Sequence, residues 1–144
     1  MSRVLGALPA NGATKVSYGS IMLTGRDPTI NIFQVGPKEL LDTNFISISA
    51  PAGSTAIINV TGSYVGVANA GIQLNGVSMP RLLWNLYQAS RFETGSISVP
   101  GSVLAPFAEA TIGWGDIKGT LIVDKCFSLS QLHQVPFGNN WLVP

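Results

Sequence analysis

Charge is what this sequence has least of. Lys, Arg, Asp and Glu together make up 10% of 144 residues, against the ~25% usual in soluble proteins. Eight Lys and Arg against seven Asp and Glu leave a net charge of +1. Eight scattered cations cannot build the basic patch that DNA, RNA or an anionic membrane requires, so nucleic-acid binding is excluded. A solvated helical bundle, which needs charged outer faces, is disfavoured for the same reason. Cysteine is nearly absent: Cys126 stands alone, which rules out an internal disulfide and a multi-cysteine zinc site. It follows the apolar run Leu121-Ile122-Val123 and reads as a small buried hydrophobe. No apolar run approaches the ~20 residues of a membrane helix, so membrane insertion is not expected. The start, Met1-Ser2-Arg3-Val4-Leu5, lacks the apolar stretch of a signal peptide; the expectation is a different export route or a piece of a longer precursor.

What is abundant points one way. Hydrophobic residues at 46% exclude disorder, and sixteen Gly and nine Pro among many Ile, Val, Ser and Thr indicate short strands joined by tight turns. Residues 1–144 read as one domain, with no linker or low-complexity stretch.

The strands recur. Ser20-Ile21-Met22-Leu23, Phe45-Ile46-Ser47-Ile48-Ser49, Gly71-Ile72-Gln73-Leu74 and Ser96-Ile97-Ser98-Val99 form one series, with isoleucines at 21, 46, 72 and 97. A second series runs through Asn31, Asn59 and Asn85, then Gly101-Ser102-Val103-Leu104-Ala105. A period near 25 residues is long for hairpins and suits stacked coils. The predicted fold is an all-β, right-handed parallel β-solenoid, an irregular β-helix, with at most one or two short helical turns. One such turn is expected at Pro37–Asp42, where Pro occupies a first-turn position. Alternation within each run sends Ile46 and Ile48 inward and Ser47 and Ser49 outward. Gly25, Gly62, Gly76, Gly101 and Gly119 mark corners. An antiparallel sandwich is the competing architecture.

Three segments carry a family likeness: Leu83-Trp84-Asn85-Leu86-Tyr87-Gln88-Ala89, Ile97-Ser98-Val99-Pro100-Gly101-Ser102-Val103-Leu104-Ala105-Pro106 and Gln131-Leu132-His133-Gln134-Val135-Pro136-Phe137. In this order they resemble the choice-of-anchor A domain of bacterial surface proteins, in its C-terminal part. That resemblance implies a β-rich adhesive module at the cell surface or released from it, and gives no catalytic residues to carry over. A fainter likeness, in Asn31-Ile32-Phe33-Gln34-Val35-Gly36, is to ice-binding β-solenoid proteins. The nine threonines, which include Thr24, Thr55, Thr94 and Thr120, fall on no single column, which weighs against ice binding.

Chemistry-bearing residues are sparse. His133 is the single histidine and lacks neighbouring ligands, so it reads as structural, like the motif residues Gly101 and Pro106. The carboxylates never cluster in sequence. A sugar-cleaving enzyme would need folding to unite two of them, such as Glu93 and Glu109. No catalytic, metal or cofactor site is therefore expected. Asn31, Asn59 and Asn85 at equivalent places on successive coils would form a hydrogen-bonded amide ladder. Among the aromatics, Trp114 (between Gly113 and Gly115), Tyr64 and Trp141 are the contact candidates, with Tyr18 and Tyr87 behind them; Trp84 reads as core.

The expected function is a non-enzymatic extracellular or cell-surface module for adhesion or matrix building. Its partner would be a protein or polysaccharide surface. The alternative is a fibre subunit, a homo-oligomer or filament stacking end to end through exposed strand edges. Ice binding and carbohydrate cleavage rank lower.

Overall fold

A computed structural model describes residues 1–128. The readings of His133 and Trp141 lie outside those residues. The order is α1 (Ser2–Gly6), β1 (Ala13–Ser17), β2 (Ser20–Thr24), β3 (Ile30–Val35), α2 (Pro37–Asp42), β4 (Phe45–Ser49), β5 (Thr55–Val60), β6 (Tyr64–Ala68) and β7 (Gly71–Asn75). A 3₁₀ turn at Met79–Arg81 leads to β8 (Leu82–Asn85), β9 (Arg91–Gly95), β10 (Ile97–Pro100), β11 (Ser102–Ile112), β12 (Gly115–Lys118) and β13 (Leu121–Ser128).

The strands pair in parallel with partners about two dozen residues away. In the front sheet, ordered β1-β2-β4-β7, Ile21 faces Ile46 and Ile46 faces Ile72, steps of 25 and 26 residues. The second sheet has two limbs that meet in β11. One, the back limb, is β3-β5-β8 and the first part of β11; the other, the side limb, is β6-β9 and the last part of β11. Pro106 sits at the register break between Ala105 and Glu109 that separates the two parts. With no N–H to donate, it fits where the ladder is already interrupted. Gly101 turns the chain from β10 into β11 with φ +87°, and a Cβ there would lie 2.7 Å from the Leu82 carbonyl oxygen. Both demands exclude other residues.

Inward columns fill the space between sheets. Ile21, Ile46, Leu23, Ile48, Phe33, Ile58, Trp84, Val103, Phe92 and Ala110 join one buried cluster, and the Trp84 indole donates to the Pro100 carbonyl at 2.8 Å. Each aliphatic contributes about 1.5–3 kcal/mol by leaving water, which explains stability with so few charges.

Several expectations need correction. Ile97 does not extend the Ile21–Ile46–Ile72 ladder, because β10 pairs with β12 in a separate two-stranded sheet. The front sheet begins with an antiparallel hairpin, β1–β2, turning through Tyr18 (φ 50°) and Gly19 (φ 79°). Two positive φ values match the twist that a two-residue hairpin needs. Helix is also slightly more frequent than expected, since α1 adds to α2 and the 3₁₀ turn. Five residues cannot hold a helix alone; tertiary contacts hold α1, as described below.

Cys126 is exposed, not buried. It stands on the inward column Val65–Phe92–Ala110–Cys126, so the apolar context was a fair signal. Among the described residues, however, β13 is the last strand of its limb and nothing covers that side. Partial burial still pushes the thiol above its ordinary pKa. Native protein should therefore react with iodoacetamide at this single cysteine without denaturant, more slowly than a free thiol. Labelling only after unfolding would contradict the exposed placement.

Candidate functional site

Three outward faces could meet a partner, and two are already committed. On the back limb, the outward column runs Gln34, Asn59, Asn85, Leu104 in register. Helix α1 lies over it. Leu5 packs with Ile57 and Leu83, and Arg3 stacks on the Phe107 ring at 4.4 Å from its centroid. Under the helix, the Asn85 amide donates to Asn59 Oδ1 at 2.8 Å and to the Ser2 carbonyl at 2.9 Å, while Ser2 Oγ donates to Asn85 Oδ1 at 2.6 Å. Asn59 donates to the Leu5 carbonyl at 2.8 Å. Two asparagines therefore form a ladder sealed by α1.

Asn31 is not part of that ladder. Its register partner is Ala56, so it stands on an inward column. There its amide donates to the Asp27 carbonyl (2.9 Å) and Ser54 Oγ (3.3 Å), and its Oδ1 accepts from the Asp27 N–H (2.9 Å). It pins a corner from inside.

The side limb carries most of the strand charge. Tyr64, Arg91, Glu109 and Lys125 are successive register partners, and so are Gly66, Glu93, Thr111 and Phe127. Tyr64 is 42% exposed. Its phenol is pushed above the usual pKa first by burial, then by its hydrogen bond to Glu93. Glu93 and Glu109 thus come to diagonal positions on neighbouring strands, a separation of order 7–8 Å between residues. Distance alone would suit a pair of hydrolytic carboxyls. The setting does not: both are half-exposed on an open sheet, with no pocket to hold a sugar or to desolvate a general acid. Trp114 is 69% exposed in the turn between β11 and β12. No hydrogen bond or ring contact joins it to Tyr64 among the described residues, so these two candidates form no common site.

The front sheet remains open. Its inward side is Ile21, Leu23, Ile46 and Ile48, all buried. Its outward side is a grid in register: Lys15, Met22, Ser47 and Gln73 in one row, Ala13, Thr24, Ser49 and Asn75 in the next. Strand spacing sets rungs about 4.8 Å apart, and alternate residues lie about 6.6 Å apart along a strand. Asn75 donates across the rows to Ser47 Oγ (3.4 Å) and Ser49 Oγ (3.3 Å), which fixes part of the grid. Short, uncharged hydroxyl and amide groups on a flat lattice can replace surface water over a broad contact. Motif reading missed Lys15, Gln73 and Asn75 because single polar residues in a strand carry no signature. The inside-outside alternation at residues 45–49 was the one signal that could have found this face.

Two further features are excluded as sites. An interior void of about 20 Å³ is lined only by apolar side chains such as Leu40, Val65 and Phe92. Among the described residues no group of His, Cys, Asp and Glu could hold a metal ion, and no helix is long and apolar enough to cross a membrane.

A family model described as "Putative Ice-binding-like adhesive domain" matches residues 1–134. No curated protein and no solved structure matches the chain.

Proposed function

We propose that this chain, which belongs to the ice-binding-like adhesive domain family, is a non-enzymatic module that attaches to a protein or polysaccharide surface through its front sheet. The observation that carries the reading is the uncovered outward grid of Met22, Ser47, Gln73, Thr24, Ser49 and Asn75, on the one sheet face that neither a helix nor a charged column occupies. We read the stacked strands as a right-handed parallel β-solenoid, the hand that parallel crossovers take. Rigidity matters here, because a preorganised lattice spends little ordering entropy when it binds. The family supports an extracellular or cell-surface place of action, and the motifs quoted above keep the likeness to choice-of-anchor A domains as the finer assignment.

Retention of labelled protein on films of cellulose, polygalacturonate and fibronectin tests the reading. Ser47→Tyr with Ser49→Tyr destroys the flatness of the grid and should lower retention at least about tenfold, the effect of losing roughly 1.4 kcal/mol of binding. Thr111→Tyr, on the side limb, should leave it unchanged. The reading fails if the protein is retained on none of the films, or if Thr111→Tyr abolishes retention and the front pair does not. Release of reducing sugar from the polysaccharides, lost in Glu93→Gln or Glu109→Gln, would replace it with a hydrolase. The fibre reading rests on the exposed Ile122 and Phe127 of β13; size-exclusion chromatography that gives only a monomer contradicts it.

A further inference from the structure

The lower edge of the front sheet is unlike the rest of it. Where β1 joins β2, Asn11, Ala13, Lys15, Met22, Thr24 and Arg26 line an open groove of about 450 Å³. Two of the chain's eight cations meet in this groove, and no carboxylate lines it. Neither Lys15 nor Arg26 has an acidic partner among the described residues. The nearest acid in sequence, Asp27, is turned away: its Oδ1 accepts the Thr29 N–H at 2.8 Å and the Ile30 N–H at 3.1 Å. Asn11 forms a fixed wall, because its amide donates to the Ile30 carbonyl and its Oδ1 accepts the Ile32 N–H. Met22, half exposed, supplies apolar surface between the cations. Thr24 begins the column that continues through Ser49 and Asn75.

We propose that this groove is a subsite for an anionic polysaccharide, whose carboxylate or sulfate sits between Lys15 and Arg26. The proposal rests on the reading of the front sheet as the adhesive face and names the ligand class it takes. The C–H face of the charged sugar lies on Met22, and the hydroxyls of the following sugars meet Thr24, Ser49 and Asn75. β1 through β7 span about 14 Å at the strand spacing, room for two to three sugar units. In a protein with so little charge, two unpaired cations beside a row of hydroxyls match alternating anionic and hydroxyl groups. Single-stranded DNA fits less well, because the groove has no aromatic platform on which bases could stack.

The test is binding of the full chain, by calorimetry, to polygalacturonate, dextran sulfate, neutral dextran and single-stranded oligo-dT. Wild type should bind one or both anionic polysaccharides, and the better of the two tells carboxylate from sulfate. Affinity should fall with added salt, as screening demands. Lys15→Gln with Arg26→Gln should weaken binding about tenfold or more, while Lys15→Arg with Arg26→Lys restores it. Both pairs change exposed side chains, so unfolding curves should overlay the wild type. Equal binding to neutral dextran, equal binding to oligo-dT, or an unchanged affinity in the double Gln variant overturns the subsite. If neither anionic polymer binds while a cellulose or fibronectin film still retains the protein through the front sheet, the subsite alone is wrong and the adhesive face stands.

Discussion

Replacing Asn85 by alanine is expected to lower the unfolding free energy by about 2–4 kcal/mol, because the buried groups it serves lose their partners and cannot regain water. Asn85 is fully buried and ties Asn59 to Ser2 beneath α1. Its removal orphans Asn59 Oδ1 and the Ser2 carbonyl together, and α1 loses two of the bonds that seat it. Gln34 heads the same outward column but is exposed, so Gln34→Ala should stay within about 0.5 kcal/mol. Urea unfolding of the two variants measures the contrast directly. Equal, small effects would mean that α1 does not seal the ladder. The consequence is also functional: without α1, Ile57 and Leu83 face solvent, and the back limb becomes a second sticky face that competes with the front one.

The second large effect belongs to the inward columns. Ile48 is completely buried and pairs with Leu23 on one side and Leu74 on the other. Ile48→Ala removes three carbons from a packed column and should cost about 2–5 kcal/mol, according to how far the neighbours collapse. Gln73, on the outward side of the next strand, should tolerate alanine within about 0.5 kcal/mol. The alternation makes the pair a fair comparison, because 48 and 73 lie on adjacent strands and differ chiefly in which way they point. A costly Gln73→Ala with a harmless Ile48→Ala would require the sheet to be turned inside out.

How much of this was legible in advance depends on which residue was counted. The isoleucines at 21, 46 and 72 step by 25 and 26, and they are register partners in the fold. The asparagines at 31, 59 and 85 step by 28 and 26, and only the last two are partners. An excess of three residues is odd, and an odd shift moves a strand residue to the opposite face. Asn31 therefore points inward to staple Asp27 and Ser54, while Asn59 and Asn85 point outward beneath α1. A stricter demand for one common period would have separated them. By contrast, α1 left no trace in the sequence, since Ser2–Gly6 is too short to show periodicity and is held by residues more than fifty positions away. The separation of β10 from β7 was equally hidden. The intervening 3₁₀ turn at Met79–Arg81 and the shorter last coil alter the stacking there, whereas Ile97 keeps the expected interval. The groove at Lys15 and Arg26 depends on the β1–β2 hairpin, which the parallel repeat gave no reason to expect.

The adhesive face exists only if residues one coil apart stand side by side on the same surface. Paired cysteines test this most directly. In a Cys126→Ser background, Ser47→Cys with Gln73→Cys places two thiols on outward, in-register neighbours about 4.8 Å apart, within reach of a disulfide. Ser49→Cys with Gly71→Cys uses the same strands but offsets the pair by four residues, about 13 Å along the strand. Mild oxidation should close the first pair within the monomer, visible as a mobility shift on a non-reducing gel, and leave the second open. Cross-linking of the 49–71 pair in place of the 47–73 pair would contradict the parallel register on which the proposed surface is built.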